Sequence, residues 1–556
     1  MTDVAISPSK RWLYGPLPDL LVGCGLWYAL AFVVLAVAGA QIRDVGMFTL
    51  MPFLLLAFAA PHYGATLLRV YEQREERQTY AVFTIYSTAI LAAVFVVGVH
   101  SAAVGSIILT VYLTWSPWHY TGQNYGIAAM FLRRRGVDLG GNAKHFVYTS
   151  FMLSYVLVFL AMHSGARADD YIPLVYDPVG YHFLPMGLPY ASVTLPAVGL
   201  AYVVATVGAG VLLLRRASVR DVAPAGALTL TQALWFSIPL ILRHWQVDTG
   251  IEPWEDRFGT YYFMWIGIGH SVQYLWITSY YARIRSNWTG QVPYYLKVLL
   301  AGAAIWTLPT LIFAPHLLGR LPFDAGLGIL AAAIVNLHHF VLDGAIWKLR
   351  DGSVARILLR SRDPSEVAAA PAPEGRRWIA PAVWGVGAIC VAITFGVKWE
   401  REIGINRAFA AGDLRRVGRS LDRFAWIGRD SPGLRAFLGK AYAKEGNDAL
   451  ARRNYERSLE LHPRAQVWLM LGALHARNEQ WVDAADAFES SIAIVPDNEQ
   501  AHFQLGLARL ELGQPEAARE AFERAAAQNP DRGINRTMLE RANEAIRAAA
   551  EPGASP

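Results

Sequence analysis

Five histidines, His62, His119, His270, His338 and His339, lie inside long apolar stretches of this 556-residue chain. An ionisable side chain at membrane depth is costly, and it faces a bundle interior, a water-filled cavity or a partner. Five on four separate stretches suggest one shared site. A metal ion is the simplest reason to gather neutral imidazoles in a place of low dielectric. Each motif has polar company at helical spacing. Gln123 follows His119 by four residues, Gln273 follows His270 by three, Thr66 follows His62 by four and Asp343 follows His339 by four, so each pair shares a helix face. Asp343 is the most informative, because a carboxylate within a span needs a cation beside it. It could be a ligand itself, or it could orient an imidazole from outside. His338 and His339 differ by about 100° around a helix, so each could line one cavity without both facing one ion. The predicted ligand set is His62, His119, His270, His338, His339 and Asp343. Gln123, Gln273 and Thr66 are expected behind the ligands, and Trp118, Tyr120, Tyr274 and Trp347 are expected to line an apolar slot.

Neutral imidazoles with a carboxylate suit iron, zinc, copper or manganese. The number of ligands is enough for one ion and thin for two. With iron, the expected chemistry is activation of dioxygen beside a lipophilic substrate approaching from the bilayer, such as a lipid, a polyisoprenoid or a carotenoid. Two other readings stay open. Paired imidazoles on facing helices hold haem, and membrane histidines also hydrogen-bond neighbouring helices with no cofactor at all.

The elements that must position these residues follow from composition. Hydrophobic residues make up 54% of the chain and charged residues 17%, with a mean hydropathy of +0.27. Apolar runs of about 20 residues span a bilayer. They are expected near 18–40, 46–68, 80–99, 101–131, 144–163, 191–214, 224–243, 258–282, 294–316, 324–347 and 378–397, eleven in all. The first, preceded by Lys10 and Arg11, is too long for a signal peptide and is expected to be a retained helix. Basic loops at 69–79, 132–144, 215–223, 283–297 and 348–377 alternate with loops poor in Lys and Arg. Two of the latter, 164–190 and 244–257, are acidic. The amino terminus is therefore expected in the cytoplasm and everything after Trp399 outside it, in the periplasm of a two-membrane bacterium. This topology explains much of the formal charge of +6, so the charge does not indicate nucleic-acid binding. It also runs the four histidine-bearing spans in the same direction, from outside to inside, at comparable depth. The two cysteines, Cys24 and Cys390, fall in spans and offer neither a disulfide framework nor a thiolate metal site.

After an Ala- and Pro-rich linker at 363–377 and a last span, the chain becomes polar and repetitive. Pro463, Pro496 and Pro530 are 33 and 34 residues apart. Gly439, Gly472 and Gly506 precede them by 24 residues, Ala451, Ala484 and Ala518 by 12, and Tyr455, Phe488 and Phe522 by 8. Small residues at a helix crossing, an aromatic knob and a helix-ending proline at this period resemble the tetratricopeptide repeat. The resemblance implies a solenoid whose concave face takes a protein partner. The expected organisation is all-α: a polytopic membrane domain over 1–398, a degenerate repeat or connector over 399–432, three repeats over 433–531, and a capping helix and tail over 532–556.

The histidines scattered over several spans, with Gly269-His270-Ser271 among them, resemble the bacterial membrane-embedded β-carotene-cleaving dioxygenases. That resemblance implies an iron-dependent oxygenase. The chain lacks the His-Gly-x-x-Asp pattern of that family, and it lacks the H-x-x-H-H and H-x-x-x-H boxes of membrane desaturases and alkane hydroxylases. Two further readings remain beside it. One is a non-catalytic scaffold or assembly factor built on the repeats. The other is a lipid-linked-sugar glycosyltransferase, although its usual acidic residue in a large first outer loop is matched here only by Asp44 in a short one.

Overall fold

A backbone in hydrocarbon must satisfy its own hydrogen bonds, and a helix does so within one segment. The computed structural model describes residues 11–37, 49–71, 81–137, 139–164, 181–189, 191–240, 258–284, 288–347, 358 and 379–550, and it has no strand among them. It divides into two units. The first comprises Met1–Phe313 and Gly326–Ile403, and the second Ala314–Ala325 and Gly404–Pro556.

Each expected span overlaps a helix of the first unit. These are α1 (Leu26–Val37), α2 (Met51–Tyr71), α3 (Val82–His100), α4 (Ala102–Arg134), α5 (Asn142–Met162), α6 (Ala191–Leu214) and α7 (Val219–Gln232). They continue with α8 (Phe258–Arg283), α9 (Gln291–Ile312), α10 (Leu327–Ile346) and α11 (Ile379–Trp399). By length and composition, seven helices, α2, α3, α5, α6, α9, α10 and α11, are long and apolar enough to cross a membrane. Both α4 and α8 are longer than most of these and carry the polar residues of the site. The acidic residues of the two acidic loops, Asp169, Asp170, Asp177, Asp248, Glu252, Glu255 and Asp256, lie outside the described residues, as does the linker 363–377.

Two features place the histidine helices. The first is α10, which is buried on nearly all sides and packs against α2, α3 and α4. A helix apolar all round belongs in the centre of a bundle, and the polar exceptions on it are Asn336, His338, His339 and Asp343. The second is the α2–α9 contact. A Cβ on Gly64 would lie 1.8 Å from the Val298 carbonyl oxygen, and one on Gly302 would lie 1.7 Å from that of Ala60. The two backbones touch, as small residues allow in membrane helices. Helix α2 also contains a π-helical turn at Leu55–Ala59 followed by Pro61, which cannot donate to the Ala57 carbonyl. The Tyr295 hydroxyl of α9 donates to that carbonyl instead, at 2.6 Å.

The second unit holds α12 (Leu414–Trp426), α13 (Pro432–Lys444), α14 (Asp448–Leu461), α15 (Ala465–Arg477) and α16 (Trp481–Ile494). It ends with α17 (Glu499–Glu511), α18 (Pro515–Gln528) and α19 (Gly533–Ala550). The repeat logic is explicit in its packing. A Cβ on Gly439, Gly472 or Gly506 would meet the ring of Tyr455, Phe488 or Phe522 at 2.6–2.7 Å. Ala451, Ala484 and Ala518 are fully buried at the same crossings. Ser431, Asn447 and Asn498 cap α13, α14 and α17 by accepting a backbone N–H. The first helices of successive repeats touch one another, α13 on α15 and α15 on α17, whereas the second helices splay.

The α2–α9 contact makes a direct prediction. Gly302→Ala is expected to force the two helices apart and destabilise the detergent-solubilised protein by about 1–3 kcal/mol. Gly226→Ala, where a Cβ meets nothing within 4 Å, is the matched control. Equal thermal midpoints for the two variants would contradict the packing described.

Candidate metal centre

Four helices bring four of the five histidines together. The His62 ring of α2 lies 4.2 Å from that of His339 on α10 and 5.0 Å from that of His270 on α8, between centroids. The His119 ring of α4 lies 5.0 Å from His270 and 5.1 Å from His339. Two sets of donor atoms lie within 4.8 Å of one another: His62, His270 and His339, and His119, His339 and Asp343. All five residues are buried.

Counting protons fixes which nitrogen of each ring is free, an assignment made from the hydrogen-bond network. The His62 Nδ1 lies 3.1 Å from the Ala59 carbonyl oxygen. A carbonyl only accepts, so Nδ1 carries the proton and Nε2 a lone pair. The His339 Nδ1 lies 2.8 Å from the Thr66 hydroxyl. The Trp347 Nε1–H donates to the Tyr274 oxygen at 3.1 Å, and the Tyr274 hydroxyl donates to Asp343 Oδ1 at 2.6 Å. The single Thr66 proton therefore goes to Tyr274 at 2.6 Å or to Asp343 at 3.3 Å. With Asp343 ionised, Thr66 accepts from His339 Nδ1–H, and the His339 Nε2 is left as a lone pair too.

The two Nε2 atoms face each other at 2.9 Å. Asp343 Oδ2 lies 3.4 Å from the His339 Nε2 and 3.8 Å from the His119 Nε2. The His119 Nε2 and both ring nitrogens of His270 are buried without a hydrogen-bond partner. Imidazole nitrogens and a carboxylate thus converge in one buried place, a donor set that could hold a cation. Nitrogens bound at about 2.1 Å to a tetrahedral ion lie about 3.4 Å apart, so these separations suit direct ligation after small adjustments. His339 belongs to both sets of donors and has only Nε2 to offer, so together the sets could hold one ion rather than two.

The remaining predicted residues divide clearly. His338 stands apart from the cluster. Its Nε2 meets the Thr88 hydroxyl at 2.8 Å and the Tyr71 hydroxyl at 3.4 Å, and its ring stacks on Tyr71. The rotation of about 100° per residue separates it from its neighbour. Thr66 supports the cluster, but through His339 on another helix and not through His62 on its own. Gln123 donates to Gln273 Oε1 at 3.2 Å and to the His270 backbone carbonyl at 3.3 Å, while Gln273 donates to the Gly23 carbonyl at 3.4 Å. The two glutamines lock α4, α8 and the chain before α1 together and leave the His270 ring free. Tyr274 and Trp347 belong to the hydrogen-bond network on Asp343. Tyr120 packs on His270, with centroids 4.3 Å apart. Trp118 is 45% exposed.

Sequence reasoning missed three supports. Phe340 stacks on His119 at 4.3 Å. Tyr63 packs on His62 at 4.1 Å and donates to Asn336 at 2.8 Å. Arg69 lies over Trp347 at 3.6 Å and Tyr281 at 4.1 Å, and donates to the Ile346 carbonyl at 2.7 Å. Each of these residues lies within seven positions of a histidine on its own helix, but only the fold says what each one touches.

Comparisons with known proteins bear on the second unit. Tetratricopeptide-repeat models match residues 438–499 and 471–543. No curated protein matches the chain. Among solved structures, a crystal structure of the MamA protein is 19% identical, covering 27% of this chain and 94% of that one at a TM-score of 0.22. MamA 41-end from Desulfovibrio magneticus RS-1 is 23% identical, covering 27% and 92% at a TM-score of 0.23. By the two repeat models, residues 438–543 are a tetratricopeptide-repeat array, as their period indicates.

Proposed function

We propose that the chain is a membrane protein with one intramembrane metal ion held by His62, His119, His270, His339 and Asp343. The observation that carries this reading is the convergence of imidazole lone pairs and a carboxylate in a buried place. The proton count assigns the lone pairs of His62 and His339, and the partnerless nitrogens of His119 and His270 complete the set. A mixed imidazole–carboxylate set suits iron, and a redox-active ion there would supply dioxygen activation. The finer reading is an oxygenase or related redox enzyme acting on a lipophilic substrate. Thr66, Tyr274 and Trp347 hold His339 and Asp343 in the ligating tautomer and orientation, and Phe340, Tyr63 and Tyr120 pack the rings and keep water out. The repeat array supports a second role, docking a protein partner. We place the array on the extracytoplasmic side, following the loop charges.

Elemental analysis of detergent-purified protein, with an optical spectrum, tests the proposal. The expected result is about one iron per chain, by the single-ion argument, without a Soret band, lost in His339→Ala and His270→Ala. Tyr274→Phe is expected to retain the fold but weaken metal affinity by about 10–100-fold, the usual effect of removing a ligand's hydrogen-bond partner. Metal-free wild type, with both histidine variants folding normally, would leave the scaffold reading in front. The topology is checked separately. A cysteine placed at Lys440 is expected to react with a membrane-impermeant maleimide on intact spheroplasts, and protection until lysis would reverse the orientation.

A further inference from the structure

The repeat unit carries a second recess, independent of the histidine cluster. It lies between α12 and α14 with α13 as its floor, and its volume is about 600 Å³. This is the side where second helices splay, not the concave face lined by first helices. Its lining is rich in arginine: Arg415 and Arg419 on α12, Arg435 on α13, and Arg453 and Arg457 on α14.

The carboxylates of the recess are already engaged. The Arg435 guanidinium donates to Asp430 and Asp422, each at 2.8 Å. Arg457 donates to Asp430 and Glu460, each at 3.0 Å. Glu456 lies 3.8 Å from Arg452, which points outside the lining. Asp430, only 4% exposed, thus bridges two arginines and fixes the floor. Arg415, Arg419 and Arg453 are exposed, and among the described residues no carboxylate pairs with them. Arg415 and Arg419 are four apart on one helix face, facing Arg453 across the recess. At the far end of α12 stands Trp426, 86% exposed. Three arginines with no carboxylate partner and a bare aromatic ring are a combination enriched in interface anchors.

We propose that this recess docks an acidic segment of a partner protein, with carboxylates on Arg415, Arg419 and Arg453 and an apolar or aromatic side chain on Trp426. Guanidinium groups hold carboxylates in bidentate pairs. The exposed carboxylates of Asp422, Glu456 and Glu460 at the rim favour a short peptide over a polyanion. An anionic bilayer or a nucleic acid would bring unbroken negative charge against them.

The test uses the full chain in detergent and a fluorescein-labelled octapeptide alternating Glu and Phe, read by anisotropy. Saturable binding is expected, and raising salt is expected to weaken it. The triple variant Arg415→Glu, Arg419→Glu, Arg453→Glu is expected to bind about tenfold or more weakly, while Arg524→Glu on α18 binds as wild type. Trp426→Ala is expected to weaken binding without removing its salt dependence, which keeps the aromatic contact separable from the charges. A Lys/Phe octapeptide is expected not to bind. Absence of binding to wild type, equal binding by the triple variant, or displacement of the peptide by phosphatidylglycerol vesicles or a single-stranded oligonucleotide would overturn the proposal.

Discussion

Two imidazole nitrogens, each with its lone pair outward, face each other at 2.9 Å in the interior of the helical bundle. Lone pairs at that distance repel unless a cation lies between them. The effect is strong where little water screens it. The cost of gathering His62, His119, His270, His339 and Asp343 without an ion would fall directly on the stability of the bundle. The arrangement persists because other groups hold the rings from behind. The Ala59 carbonyl fixes His62, Thr66 fixes His339, and Tyr274 with Trp347 fixes Asp343.

The scaffold enforces the same geometry by packing. Helix α2 reaches the cluster because Gly64 and Gly302 let its backbone touch α9, and a hydroxyl from α9 fills the hydrogen bond that Pro61 cannot make. Helix α8 is held by the Gln123–Gln273 pair, so its histidine is positioned while its ring nitrogens stay unused. A rigid frame around unsatisfied donor atoms is what a metal site requires before the metal arrives. The repeat unit follows a different rule. Its order comes from a glycine beneath an aromatic ring at each crossing, and its reactive features are charges on the surface.

Much of this was legible in the sequence. The periods of apolar residues placed the helices, and the 33–34-residue spacing of Pro463, Pro496 and Pro530 identified the repeats before their glycines were seen under Tyr455, Phe488 and Phe522. Histidine type and depth picked out four residues that do converge. The sequence could not separate His338 from His339, because both are equally plausible on a helix whose every face is buried. It placed Thr66 behind His62 by spacing, whereas the packing of α2 on α10 gives it to His339. It read Tyr274 and Trp347 for their apolar surface, and the hydrogen bonds of their polar atoms to one another and to Asp343 had no signal in it. Trp118 sits beside His119 in the chain but about 100° around the helix from it, half-exposed. These differences share one cause: spacing reports neighbours on one helix, and the site is made between helices.

The most direct measurement is X-ray absorption at the metal edge of the purified full-length protein. The account predicts a single ion with four or five nitrogen and oxygen ligands at about 2.0–2.2 Å and the outer scattering of imidazole rings. A sulfur shell, a second metal within about 4 Å, or no metal edge above background would contradict it.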